Sequence, residues 1–164
     1  MINSKKYEEA LEFATKKHQG QFCTGGLPYI THHVAVAKWL CDKGYDERYI
    51  VTGLFHDLLE DTDATEEEIE AIGGKEVLEA VKLLIKYKGY NMDEYVANIR
   101  KNPIAKAVKT SDRIHNLICA VECDDDFKRR YIIETIDYYL DLDEEIPKLL
   151  KRLSKSMENP IATD

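Results

Sequence analysis

The chain has no apolar run approaching the ~20 residues that a membrane helix needs. Its opening, Met1-Ile2-Asn3-Ser4-Lys5-Lys6-Tyr7-Glu8, puts charge where a signal peptide keeps its apolar core. Neither a membrane span nor export is expected, and the cytoplasm is the predicted compartment. Cysteine is scarce: Cys23, Cys41, Cys119 and Cys123 form no CxxC pair, and only the last two can share a helix face. In a chain without an export signal these read as buried thiols rather than a disulfide framework or a zinc site. Basic stripes are also missing. A formal net charge of −8 excludes the electrostatic footprint of a nucleic-acid or anionic-membrane binder. It does not exclude a small anionic substrate, because a divalent ion supplies positive charge locally. No alternating strand pattern of useful length, internal repeat or linker is present, so neither a sheet nor a second domain is expected.

Helical periodicity fills the rest. With 164 residues, 44% of them hydrophobic and 33% charged, the chain is long enough to bury a core without staples. Tyr7, Ala10, Leu11, Ala14 and His18 recur at helical spacing behind Ser4, and Gly20 ends that helix. A loop with three glycines and Pro28 leads to a helix through Val36, Trp39 and Leu40, for which Thr31 is a candidate cap. Asp46 is placed to cap a central helix running to about Glu60, and Thr65-Glu66-Glu67-Glu68 spells a capping box. Further helices are expected over 75–86, from Met92 to about Lys101, from Pro103, from Asp126 through Tyr139, and from Pro147. The pattern predicts an all-α, single-domain bundle of seven to nine helices over residues 1–153, with a frayed tail at 154–164.

One segment conflicts with its surroundings. Gly53-Leu54-Phe55-His56-Asp57-Leu58-Leu59-Glu60-Asp61-Thr62 is apolar except for one His and three carboxylates. In a continuous helix His56 and Glu60 share a face, as do Asp57 and Asp61. Burying such carboxylates unpaired costs several kcal/mol each, roughly, so a shared cation accounts for them. The plain alternative is a core histidine beside an exposed acidic helix end. Asp112 and Asn116 lie on the core-facing stripe of a later helix, where Asp112 needs either a metal or an ion pair. Of the two histidines opening the second helix, His32 aligns with Val36, Trp39 and Leu40, while His33 is expected to turn outward. Two histidines and two aspartates from three helices form a mixed nitrogen and oxygen ligand set suited to Mn²⁺, Fe²⁺, Zn²⁺ or similar ions.

The order of these pieces, His32, then His56-Asp57, then Asp112, resembles the H…HD…D signature of HD-domain metal-dependent phosphohydrolases, which are all-helical. Within them, Gly26-Leu27-Pro28-Tyr29-Ile30-Thr31-His32, Leu54 through Thr62, and Ser111-Asp112-Arg113-Ile114-His115-Asn116-Leu117 are similar to motifs of the Rel/Spo alarmone hydrolases and the small stand-alone alarmone hydrolases. The likeness covers most of residues 7 to 140. It implies that His32, His56, Asp57 and Asp112 hold one divalent ion, usually Mn²⁺, with Fe²⁺, Zn²⁺, Co²⁺ or Mg²⁺ as alternatives. It further implies that Glu60 and Asp61 help activate water and that Asn116 contacts a nucleotide. The implied reaction removes pyrophosphate from the 3′ position of guanosine tetra- or pentaphosphate. Two other readings stay open: a phosphohydrolase of another nucleotide or phosphate ester, and a catalytically idle sensor or partner module.

The chain departs from the pattern at two places. Cys23, Thr24 and Gly25 stand where the hydrolases carry an Arg-Lys-Ser run that recognises the nucleotide, with Lys86 and Lys88 as alternative cations. His33 stands where Pro is common. The physiological substrate, native metal, oligomeric state and division of labour between Glu60 and Asp61 are not written in the sequence.

Overall fold

The structure, a computed structural model, describes residues 4–158. They form α1 (Lys5–Lys17), α2 (Ile30–Asp42), α3 (Glu47–Phe55), α4 (Leu58–Asp61), α5 (Glu66–Gly73), α6 (Lys75–Leu83), α7 (Met92–Lys101), α8 (Pro103–Cys119), α9 (Asp125–Tyr138) and α10 (Glu145–Lys155). A short 3₁₀ turn, Ala120–Glu122, follows α8. No strand occurs among the described residues, only an isolated bridge between Phe22 and Pro28. None of the described helices is long and apolar enough to cross a membrane. The all-α expectation is met. The described helices fall into two compact units, divided within α8 between Ser111 and Asp112.

In the first unit α3 is the element that the others surround. It packs against α1, α2, α5 and α6, and all six residues from Ile50 to Phe55 are buried. A segment buried on every side must be free of charge on every side, as Ile50 to Phe55 are. Its closest neighbour is α2, and Gly53 makes that approach possible. A Cβ there would meet Leu40 Cδ1 at 3.0 Å and Val36 Cγ1 at 3.3 Å. Asp46 caps α3 by accepting from the Arg48 backbone N–H at 2.9 Å. Ser4 caps α1 in the same way through Tyr7, and Thr65 and Glu68 close the expected capping box on α5.

The central helix is shorter than its sequence suggests. α3 stops at Phe55, His56 and Asp57 form a turn, and the four-residue α4 follows. The cause lies in the His56 ring, whose Nδ1 donates to the Gly53 carbonyl at 2.7 Å and competes with the backbone for that acceptor. Thr62 then ends α4, its hydroxyl donating to the Leu58 carbonyl at 2.6 Å.

In the second unit α9 packs on α10 and on the 3₁₀ turn. Arg113 is buried there between the rings of Tyr131 and Tyr139, 4.1 and 4.3 Å from their centroids, and pairs with Glu134. Asp124, not Asp126, caps α9. α10 runs through Lys155, with Ser154 and Met157 buried. The remainder of the expected tail, 159–164, lies outside the described residues, as does the start of the chain before Ser4.

Candidate metal centre

α2 delivers His32 from its first turn, and the break between α3 and α4 delivers His56 and Asp57. Both histidines are 4% exposed. Nε2 of His32 lies 3.3 Å from Nε2 of His56, which in turn lies 3.2 Å from Oδ2 of Asp57. A carbonyl can only accept, so the His56 Nδ1 that meets Gly53 carries the proton, and in the neutral ring Nε2 presents a lone pair. A lone pair aimed at a carboxylate oxygen is repulsive unless a proton or a metal ion sits between them. Ligands about 2.0–2.2 Å from one ion and at right angles lie about 3 Å apart, which matches both separations. The donor set therefore fits a divalent ion, and the three ligating atoms lie within 4.8 Å of one another.

Asp57 is the most heavily supported member. Burial alone would raise its carboxyl, but without an ion the charge of a protonated His56 ring beside it outweighs burial and holds it well below the usual carboxylate range. Tyr29 donates its hydroxyl to Oδ2 at 2.8 Å. The loop preceding α2 sets that tyrosine: Gln21 accepts from the Tyr29 N–H at 2.9 Å and Leu27 accepts from the Cys23 N–H at 2.8 Å. Gly25 and Gly26, at φ 99° and 89°, make the reversal that other residues resist. Cys23, Thr24 and Gly25 thus sit in an exposed hairpin-like loop, with Phe22 65% and Leu27 63% exposed.

Glu60 and Asp61 are exposed, and their carboxylates and that of Asp57 lie within 4.8 Å of one another. Asp61 is pushed up to about 6, first by partial burial and then by the charges of Asp57 and Glu60. Glu60 accepts at Oε1 from the Lys86 backbone N–H at 2.8 Å, which ties it to the turn after α6. The Lys86 ammonium lies 5.5 Å from the Tyr90 and Tyr95 ring centroids.

His33 does not turn outward. It is fully buried, with Nδ1 3.2 Å from the Tyr29 carbonyl and Nε2 3.2 Å from Asp57 Oδ2. The second contact is out of line for a hydrogen bond. Its ring stacks on His18 at 4.3 Å, and burial pushes it down to about 4, so it is neutral at neutral pH. Burial also lowers His18, whose Nδ1 lies 2.8 Å from Gln21 Oε1. His18, Tyr29 and His33 are the residues that sequence reasoning left out of the site. The signal for Tyr29 was its place between a Gly-rich loop and a His-bearing helix.

Asp112 and Asn116 belong to the second unit. Asp112 is 7% exposed and accepts at Oδ1 from Asn116 Nδ2 at 2.8 Å. The Arg113 guanidinium donates to Glu134 and Thr135.

The chain belongs to the HD domain family, whose model matches residues 10–144 and so spans the elements that carry His32, His56 and Asp57. It is 36% identical over 149 residues to a GTP pyrophosphokinase of Myxococcus xanthus, covering 82% of this chain and 20% of that one. It is likewise 36% identical over 146 residues to the bifunctional (p)ppGpp synthase/hydrolase SpoT of Escherichia coli, covering 82% of this chain and 21% of that protein. A probable guanosine-3′,5′-bis(diphosphate) 3′-pyrophosphohydrolase of Synechocystis is 38% identical over 141 residues, 79% of this chain and 19% of that one. The chain spans about a fifth of the length of these relatives. A solved structure, described as a metazoan ortholog of SpoT that hydrolyzes ppGpp and plays a role in starvation responses, superposes with a TM-score of 0.75 at 24% identity. That match covers 94% of this chain and 97% of the other, and the likeness is one of fold.

Proposed function

We propose that this chain is a metal-dependent phosphohydrolase of the cytoplasm that removes pyrophosphate from the 3′ position of guanosine tetra- or pentaphosphate. The observation that supports the reading is the convergence of His32, His56 and Asp57 beside the carboxylates of Glu60 and Asp61. In this reading Asp112 is the fourth ligand and Mn²⁺ the resident ion. When bound, such an ion supplies a Lewis acid that polarises a phosphoryl oxygen and acidifies water.

The remaining work falls to side chains. Tyr29 holds Asp57 in one rotamer through its hydroxyl. Glu60 and Asp61 stand one turn beyond Asp57, where one accepts the proton of the attacking water and the other orients it. General-base assistance of this kind contributes about 10²–10⁴ in rate. Asp61 is suited to the exchange because its proton affinity is already raised towards neutrality. Asn116, whose amide reaches Asp112, offers its remaining donor and acceptor to the nucleotide.

The test is incubation of the Mn²⁺-loaded protein with guanosine tetraphosphate. The expected products are guanosine diphosphate and pyrophosphate in equal amounts, with loss of turnover in His56→Ala. Unchanged alarmone after prolonged incubation would overturn the assignment.

A second reading has its own observation. The exposed loop at Cys23-Thr24-Gly25 carries no cation, whereas alarmone hydrolases have an Arg-Lys-Ser run at those positions. Another nucleotide or phosphate ester is then the substrate, and the same metal and carboxylates act on it. Running nucleoside di- and triphosphates beside the alarmone in that assay separates the two readings.

A further inference from the structure

The solvent face of α9 is apolar at its centre. Ile133 is 50% exposed and Ile136 39% exposed. With Arg129 and Asp137 they follow the spacing of one helix face, while Lys128, Ile132 and Thr135 are buried behind them. Charge along this face runs against the helix dipole. After the acidic first turn, Arg129 and Arg130 occupy the N-terminal half, and the last turn carries Asp137 and no base. A helix alone favours the opposite order. Arg129 and Asp137 are exposed, and neither makes an ion pair among the described residues.

The spacing is symmetric about the apolar centre. Arg129 lies four residues before Ile133 and Asp137 four after it. A second α9 laid antiparallel across a twofold axis at Ile133 sets Ile133 against its own copy and each Arg129 opposite Asp137 of the second copy. A parallel arrangement sets Arg129 beside Arg129 and Asp137 beside Asp137. Four residues are about 6 Å of helix, so both charge pairs stay within side-chain reach at a shallow crossing angle. The face therefore has the layout of a self-complementary interface, an apolar centre with a charged rim that matches only its antiparallel image.

We propose that this face of α9 is a homodimer interface, occupied by a second copy of the chain docked antiparallel across Ile133. Sedimentation velocity of the full chain over a concentration series tests it, with circular dichroism to confirm that each variant is folded. The wild type is expected to sediment as a dimer and Ile133→Glu as a monomer. Arg129→Asp and Asp137→Arg each place like charges together twice, and each is expected to weaken dimerisation by about 10-fold or more. Combining both changes in one chain restores opposite charges and recovers the dimer. Mixing the two single variants also gives a dimer, because every contact in the mixed pair is then Arg against Asp. A wild type that stays monomeric throughout, or a double variant no tighter than the singles, overturns the proposal.

Discussion

His33 Nε2 lies 3.2 Å from Asp57 Oδ2, while the other nitrogen of the same ring faces the Tyr29 carbonyl. The ring is wedged between α1 and the ligand, stacked on His18 and fully buried. Asp57 is thus braced by Tyr29 through a hydrogen bond and by His33 through packing.

His33→Ala should therefore disturb the centre without touching a ligand. Losing support around a metal-binding carboxylate typically costs about 10–100-fold in metal affinity. Isothermal titration with Mn²⁺ checks this. Unchanged affinity with a lowered melting temperature would mean that His33 only fills space.

Glu60→Gln and Asp61→Asn are expected to bind Mn²⁺ with near wild-type stoichiometry and to lose ~10²–10⁴ in kcat. Metal content and single-turnover rates decide the matter. If either variant loses the metal, that residue is a ligand and the division of roles is wrong.

Asp46 caps the helix that leads to His56. Asp46→Ala should cost about 1 kcal/mol, or ~2–4 °C in Tm for a chain of this size. The Arg48 guanidinium beside it holds the Asp46 carboxyl below its ordinary value. Its contribution is therefore fully present above the unfolded pKa and is lost as pH falls through the lower folded value. Melting curves of wild type and variant should converge in acid and separate towards neutrality. A constant gap across that range would contradict the assignment.

Much of this was legible in the sequence because the relevant forces are local. Ser4, Asp46 and the Thr65 to Glu68 box act within one turn, and all three caps form as their spacing implies. His32, His56 and Asp57 were legible because they are polar groups in apolar runs. What the sequence hid depends on tertiary neighbours. His33 was assigned to solvent on the premise that α2 has one buried face, but α2 packs against both α1 and α3 and so buries adjacent histidines. The break at His56 arises from a ring competing with the backbone for the Gly53 carbonyl, which no periodicity reports. In Asp124-Asp125-Asp126 three residues able to cap adjoin, so composition alone does not mark the first as the cap.

The loop at Cys23 to Gly25 offers a gain-of-function test. Cys23→Arg combined with Thr24→Lys places two cations in this loop, and charge-assisted contacts to phosphate are worth ~1.5–3 kcal/mol each. If the alarmone is bound from this side, its KM should fall by about 10-fold or more with kcat little changed. No change in KM would indicate that the loop does not face the substrate.

The claim on which the rest stands is that His32, His56, Asp57 and Asp112 hold one divalent ion. A crystal structure of Mn²⁺-soaked protein, with anomalous scattering measured at the manganese edge, tests it directly. The account predicts a single strong peak ~2.0–2.3 Å from a ligating atom of each of the four residues. A peak centred instead among Asp57, Glu60 and Asp61, or one from which Asp112 is absent, would contradict it.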